Sequence, residues 1–165
     1  MAPTRAQLLA DRALDKAPTD AWVQWAVNEL LAGQDSPHLR ILAGERPPFD
    51  PFEISALLDK VLSELAVAVP SRDKAMLAYA AELADTLVKS QANDVAPLRQ
   101  LRDLCIESGY PKYLYNFYLL AFAEQDLQAG GVQFYWLGAT PANIRQLILD
   151  CANEWLAAHA PPGTA

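Results

Sequence analysis

The sequence predicts an all-α fold, a single globular domain of seven or eight short helices around a central apolar helix. Three observations predict it. A polar or turn residue is followed by proline just before an apolar, helix-period segment four times, at Ser36-Pro37, Asp50-Pro51, Tyr110-Pro111 and Thr140-Pro141. Proline suits the first helical turn because its missing N–H would have found no intrahelical acceptor, and Ser, Asp or Thr before it can cap free amides. The segments between these marks carry apolar residues at i, i+3 and i+4, and glycine or proline closes most of them. At 165 residues the chain has the length of one domain, expected over residues 1–160 with a disordered tail at 161–165. No repeat at a fixed period marks a solenoid.

The elements follow in order. Thr4 caps a first helix running to about Lys16, with Leu8, Leu9 and Leu14 as its apolar side. Pro18 stops it, and Thr19 opens a second carrying Trp22, Trp25, Ala26 and Leu30, with Gly33 as its stop. Ser36-Pro37 starts a short helix, His38 to Ala43, closed by Gly44, in which Leu39, Ile41 and Leu42 are expected in the core. Asp50 and Glu53 have capping-box spacing, and the helix after them presents Ile54, Leu57, Leu58, Val61, Leu62 and Leu65 as one stripe.

Pro70-Ser71 begins the next helix, with Met76, Tyr79, Leu83 and Leu87 facing inward. Asn93 or Asp94 caps another through Leu98, Leu101, Leu104 and Cys105 to Gly109. From Pro111 to Gln128 almost no polar face remains before Glu124, which predicts the most buried helix of the protein. Gly130-Gly131 breaks it. The segment Gln133-Phe134-Tyr135-Trp136 follows, and Thr140-Pro141 launches a last helix with Ile144, Leu147, Ile148, Cys151 and Trp155.

Charge narrows the function classes. Thirteen basic against twenty acidic residues give a net charge of −7. Nucleic acid and anionic membrane surfaces draw binding energy from clustered Lys and Arg, so neither is an expected partner. From Ala121 onward the only base among Lys and Arg is Arg145, against Glu124, Asp126, Asp150 and Glu154. A basic protein could be steered by that asymmetry, although acidity also serves plain solubility. Two cysteines are too few for a disulfide framework, the first residues lack a signal peptide's apolar core, and a cytoplasmic location is expected. The longest apolar passage, Tyr113 to Ala123, is about half a membrane span.

Reaction chemistry is hard to find. His38 and His159 are the only histidines, and no C-x-x-C, H-E-x-x-H or E-x-x-H spacing occurs, so no metal and no cofactor are expected. His159 is better placed to meet helix carbonyls. No G-x-S-x-G elbow or P-loop is present, and no catalytic residue is assigned. Pairs such as Asp11 with Asp15 read as solvated helix faces.

Two segments stand apart. Asp35, His38 and Arg40 cluster at the start of the third helix, where they can form a pocket or, more simply, an Asp35–Arg40 ion pair across the turn. Glu124, Asp126, Gln133, Tyr135 and Trp136 combine acidic and aromatic groups around a glycine break, the composition of a protein-binding contact. The alternative there is that Phe134 and Trp136 plug the end of the bundle while Tyr135 hydrogen-bonds at the rim.

The run from Trp25 to Leu65, with Ser36-Pro37-His38-Leu39-Arg40-Ile41-Leu42-Ala43-Gly44 and Phe52-Glu53-Ile54 within it, resembles a pattern in small bacterial all-α proteins of uncharacterised function. Some of those resemble immunity proteins encoded beside secreted toxins. The resemblance implies a protein that binds another protein and performs no chemistry, and it carries no functional residue over to this chain. The expected function is therefore an acidic cytosolic protein-binding domain, an immunity or regulatory protein that neutralises a partner. The alternatives are an enzyme with a small-molecule pocket between helices and a scaffold subunit that self-associates through an aromatic face. Oligomeric state is left open.

Overall fold

A computed structural model describes residues 2–159. Among them are eight α-helices, one 3-10 turn and no strand: α1 (Arg5–Ala13), α2 (Asp20–Leu31), α3 (Pro37–Gly44), α4 (Pro51–Glu64), α5 (Arg72–Lys89), α6 (Ala96–Glu107), the 3-10 turn Lys112–Leu114, α7 (Tyr115–Gln128) and α8 (Ile144–His159). The fold is all-helical. The tail expected at 161–165 lies outside the described residues. The chain forms two compact packing units, one up to Met76 and one from Leu77 onward, with the division inside α5.

In the first unit, α1 packs on α2, α2 on α3 and α3 on α4. Side-chain caps fix where all four of these helices begin, with Ser36 on α3 accepting from the Leu39 amide. Thr4 accepts from the Gln7 amide at 3.1 Å, Thr19 from Ala21 at 3.3 Å, and Asp50 from both Phe52 and Glu53 at 2.9 Å. The expected stripes meet in a core of Leu8, Trp22, Trp25, Leu39, Leu42, Ile54, Leu58, Val61 and Leu62, each no more than 4% exposed. Ile41 departs from expectation. It is 51% exposed, because the 100° step between helical residues turns it away from the face shared by Leu39 and Leu42.

In the second unit α7 packs against α6 and α8. Leu98, Leu101, Leu104, Phe117, Leu120, Ile148 and Ala152 are buried there. The Trp155 indole donates to the Tyr113 carbonyl at 2.7 Å and packs on Phe117, with ring centroids 6.0 Å apart. Nδ1 of His159 lies 2.9 Å from the Trp155 carbonyl, the helix-carbonyl contact expected of it.

Two of the proline signals act differently from expectation. Pro111 opens the 3-10 turn, and α7 starts four residues later, at Tyr115. Pro141 lies in a turn before α8, where Asn143 Oδ1 accepts from the Thr140 amide at 2.7 Å and the helix begins at Ile144. The passage to Gln128 is also not uniformly buried. Phe117, Leu120, Ala121, Ala123 and Glu124 are buried, but Tyr115 is exposed and Tyr118, Leu119 and Phe122 are half-buried. Tyrosine brings an apolar ring and a hydroxyl that prefers water, so an aromatic run can line a surface while counting as apolar.

Candidate functional site

The connection between α7 and α8 is a built structure. Helix α7 ends in a Schellman arrangement: the Gly131 amide donates to the Asp126 carbonyl at 2.9 Å and the Gly130 amide to Leu127 at 3.1 Å. Gly130 has φ +74°, and a Cβ on Gly131 would stand a tight 3.2 Å from the Asp126 carbonyl oxygen, so the turn favours glycine at both positions. Gln133 then organises the loop. Its Oε1 accepts from the amides of Tyr135 at 3.0 Å and Trp136 at 2.9 Å. Its Nε2 donates to the carbonyls of Trp136 at 2.7 Å and Ala139 at 3.2 Å. Asn143 closes the far side by donating to the Gly138 carbonyl at 2.9 Å.

This pinned backbone holds apolar side chains in water. Phe134 is 91% exposed and Leu137 fully so, with Val132 also exposed. An exposed Phe134 rules out the arrangement in which it plugs the end of the bundle. Tyr135 stacks on Phe122 at 5.2 Å, and the row continues to Tyr118 at 5.1 Å, then to Tyr110 and Tyr115 at 5.5 and 5.4 Å. The Arg102 guanidinium lies 5.4 Å from the Phe122 ring centroid. Burial, and the neighbouring phenols of Tyr110, Tyr115 and Tyr135, push the Tyr118 hydroxyl above its ordinary value. The aromatic row was missed in the sequence because Tyr115, Tyr118 and Phe122 counted only as core and Tyr110 only as the turn residue before Pro111.

The five residues expected at a protein contact therefore divide. Tyr135 is exposed, and Asp126 and Trp136 are half-buried, at or beside the loop. Gln133 spends both ends of its amide on the loop itself. Glu124 is a correction: it is 3% exposed, because the helical step turns it onto the buried face with Leu120 and Ala121. Neither of its oxygens has a hydrogen-bond partner, and Arg99 Nη2 stands 3.8 Å away. Burial raises its pKa, against the opposing pull of Arg99 and Gln128. Glu124 lines a cleft of about 350 Å³ with Val95, Leu127, Ile144, Arg145 and Ile148 among its walls.

Asp35 and Arg40 pair with each other while His38 pairs with Glu64 of α4, so the three do not converge. Arg40 pairs with Asp35, Nε to Oδ1 at 2.7 Å, as the simpler expectation had it. His38 belongs to a different set. Glu64, at the end of α4, accepts from the His38 amide at 3.1 Å and meets its Nδ1 at 2.5 Å. Hydrogen bonds from the Ser36 hydroxyl and from His38 hold the Glu64 carboxyl below its usual range. Ser36 also accepts from the Leu39 amide at 3.2 Å, so this cluster caps α3.

The cysteines offer no nucleophile. Burial raises Cys105, and burial together with Glu154 pushes Cys151 up to about 12. Among the described residues no group of three or more His, Cys, Asp or Glu could hold a metal ion, and no helix is long and apolar enough to cross a membrane. Compared with protein-family models, with curated proteins and with solved structures, the chain matches none.

Proposed function

We propose that the protein is a cytosolic protein-binding domain that captures a basic partner through the loop of residues 131–138 and the adjoining aromatic row. The observation that carries the reading is Phe134 and Leu137 standing in water on a backbone pinned by Gln133. An exposed apolar side chain on a mobile loop means little; on a rigid one it is preorganised for contact, because binding then orders little further. The net charge of −7 favours a partner of opposite sign. Arg102 over Phe122 marks how a partner's Arg or Lys would seat on the neighbouring rings. The resemblance of residues 25–65 to small bacterial all-α proteins, some of which resemble immunity proteins, motivates a role in neutralising the partner.

The test places a photo-reactive benzoylphenylalanine at position 134, and at exposed Ile41 as a control, to cross-link and identify the partner. With that partner purified, Phe134→Ala and Leu137→Ala should each weaken binding by about thirtyfold, the scale of a hot spot, with Tm unchanged. Parent-like affinity in both variants sinks the reading. Sedimentation of the chain alone decides the self-associating alternative: a dimer that Phe134→Ser converts to monomer makes the occupant a second copy.

A further inference from the structure

The cleft beside Glu124 is not used by the protein-binding surface, and its composition is that of a small-ligand site. Val95, Leu127, Ile144 and Ile148 give it apolar walls, and Arg145 borders it with Nε donating to the Gln91 carbonyl at 2.7 Å. Its volume of about 350 Å³ is at the small end of the range for ligand pockets. Buried polar groups in folded proteins are almost always hydrogen-bonded. Glu124 is an exception: neither oxygen has a hydrogen bond of good geometry, Arg99 reaches it only as a long ion pair at 3.8 Å, and the pull of Arg99 and Gln128 does not outweigh its burial.

We propose that this cleft binds a small organic amine, an ammonium head on an apolar body, with Glu124 as its counter-ion. The ammonium group carries three donors, enough to serve both oxygens, and bonds between ionised partners are the stronger kind. Both carboxyl oxygens lie just beneath the cleft surface, and rotation about the three glutamate side-chain torsions would bring one of them to the ligand. The apolar body covers Leu127, Ile144 and Ile148 and removes water from them. Arg99 and Arg145 are the cations nearby, and both are exposed, so solvent screens their repulsion of the ligand. A carboxylate ligand supplies no donor to Glu124 and leaves its oxygens unpartnered.

Hexylamine, hexanol and hexanoate separate the head group from the body. Each is titrated into the full chain while the backbone amides of residues 95, 127, 144 and 148 are followed by NMR. Hexylamine should saturate those amides with an affinity at least about tenfold above hexanol, and hexanoate should leave them unmoved. Glu124→Gln should reduce hexylamine to the affinity of hexanol, and Ile148→Phe, which narrows the cleft, should remove the response to both. Equal binding of hexylamine and hexanol overturns the proposal, as does full hexylamine affinity in Glu124→Gln or a cleft that answers to no probe. Should either variant fail to fold, the ratio of hexylamine to hexanol on the parent chain decides alone.

Discussion

Two glutamates show how strongly a single carboxyl depends on its surroundings. Glu64 is given donors by Ser36 and His38, and its pKa lies below the ordinary 4.5; Glu124 is buried, Arg99 and Gln128 offset that burial only in part, and its pKa lies above it. The consequences for stability have opposite signs. A depressed folded-state pKa contributes stability above pH 4.5 that is lost as pH falls through the lower folded value. Glu64→Gln should therefore lower Tm at pH 7, with the gap to the parent closing in acid. A raised pKa subtracts stability as pH rises above 4.5, fully so once pH exceeds the folded value. Glu124→Gln should raise Tm at pH 8 by about 2–4 °C, the response of a chain this long to about 1 kcal/mol, and the gain should vanish near pH 4. Thermal melts of both variants from pH 4 to pH 8 check the pair; a Glu124→Gln gain independent of pH would mean the carboxyl is not what strains that site. Gln133 makes the residue-scale case for the loop. Gln133→Ala removes four hydrogen bonds, so amide exchange at Tyr135 and Trp136 should accelerate by at least about tenfold with little change in global Tm.

Among the elements, α3 is the most legible in sequence and α7 the least. Ser36, Pro37 and Gly44 mark both ends of α3 by local chemistry alone, and the helix runs from Pro37 to Gly44. Glu64, which completes its cap, lies 26 residues away from His38, and no local signal announces such a partner. Ser36→Ala should cost about 1 kcal/mol in urea unfolding, the usual value of an N-cap. For α7 the residue types were misleading. Tyr115, Tyr118 and Phe122 add to an apolar count without entering the core, while Glu124 interrupts that count and is buried. Only the helical phase separates the two faces, and it becomes visible once α6 and α8 show which side they cover. Phe117→Ala, at a fully buried ring, should cost about 3–5 kcal/mol, and Tyr115→Ala less than about 1 kcal/mol. Comparable losses for the two would contradict the division of α7 into a core face and a surface face.

For the molecule as a whole, the charge was legible in full and the exposed apolar surface of the loop was not. A count of Asp, Glu, Lys and Arg yields −7 without a structure, whereas the exposure of Phe134 depends on how Gln133 folds the loop back on itself. These two properties govern different parts of an association. Long-range charge acts before contact and sets how often partners meet, while an apolar side chain acts only in the complex and sets how long they stay. In the proposed complex, exposed Asp150 and Glu154 would act in the first way and Phe134 in the second. Replacing Asp150 and Glu154 together by Asn and Gln should slow association with the cross-linked partner and flatten its dependence on salt, leaving dissociation as in the parent. Phe134→Ala should speed dissociation by about thirtyfold and leave association unchanged. Stopped-flow or surface-bound kinetics at about 50 and 300 mM salt, where screening differs strongly, read both rates. A partner whose association ignores salt would leave the acidity to solubility alone. One whose dissociation ignores Phe134 would move the contact away from the loop.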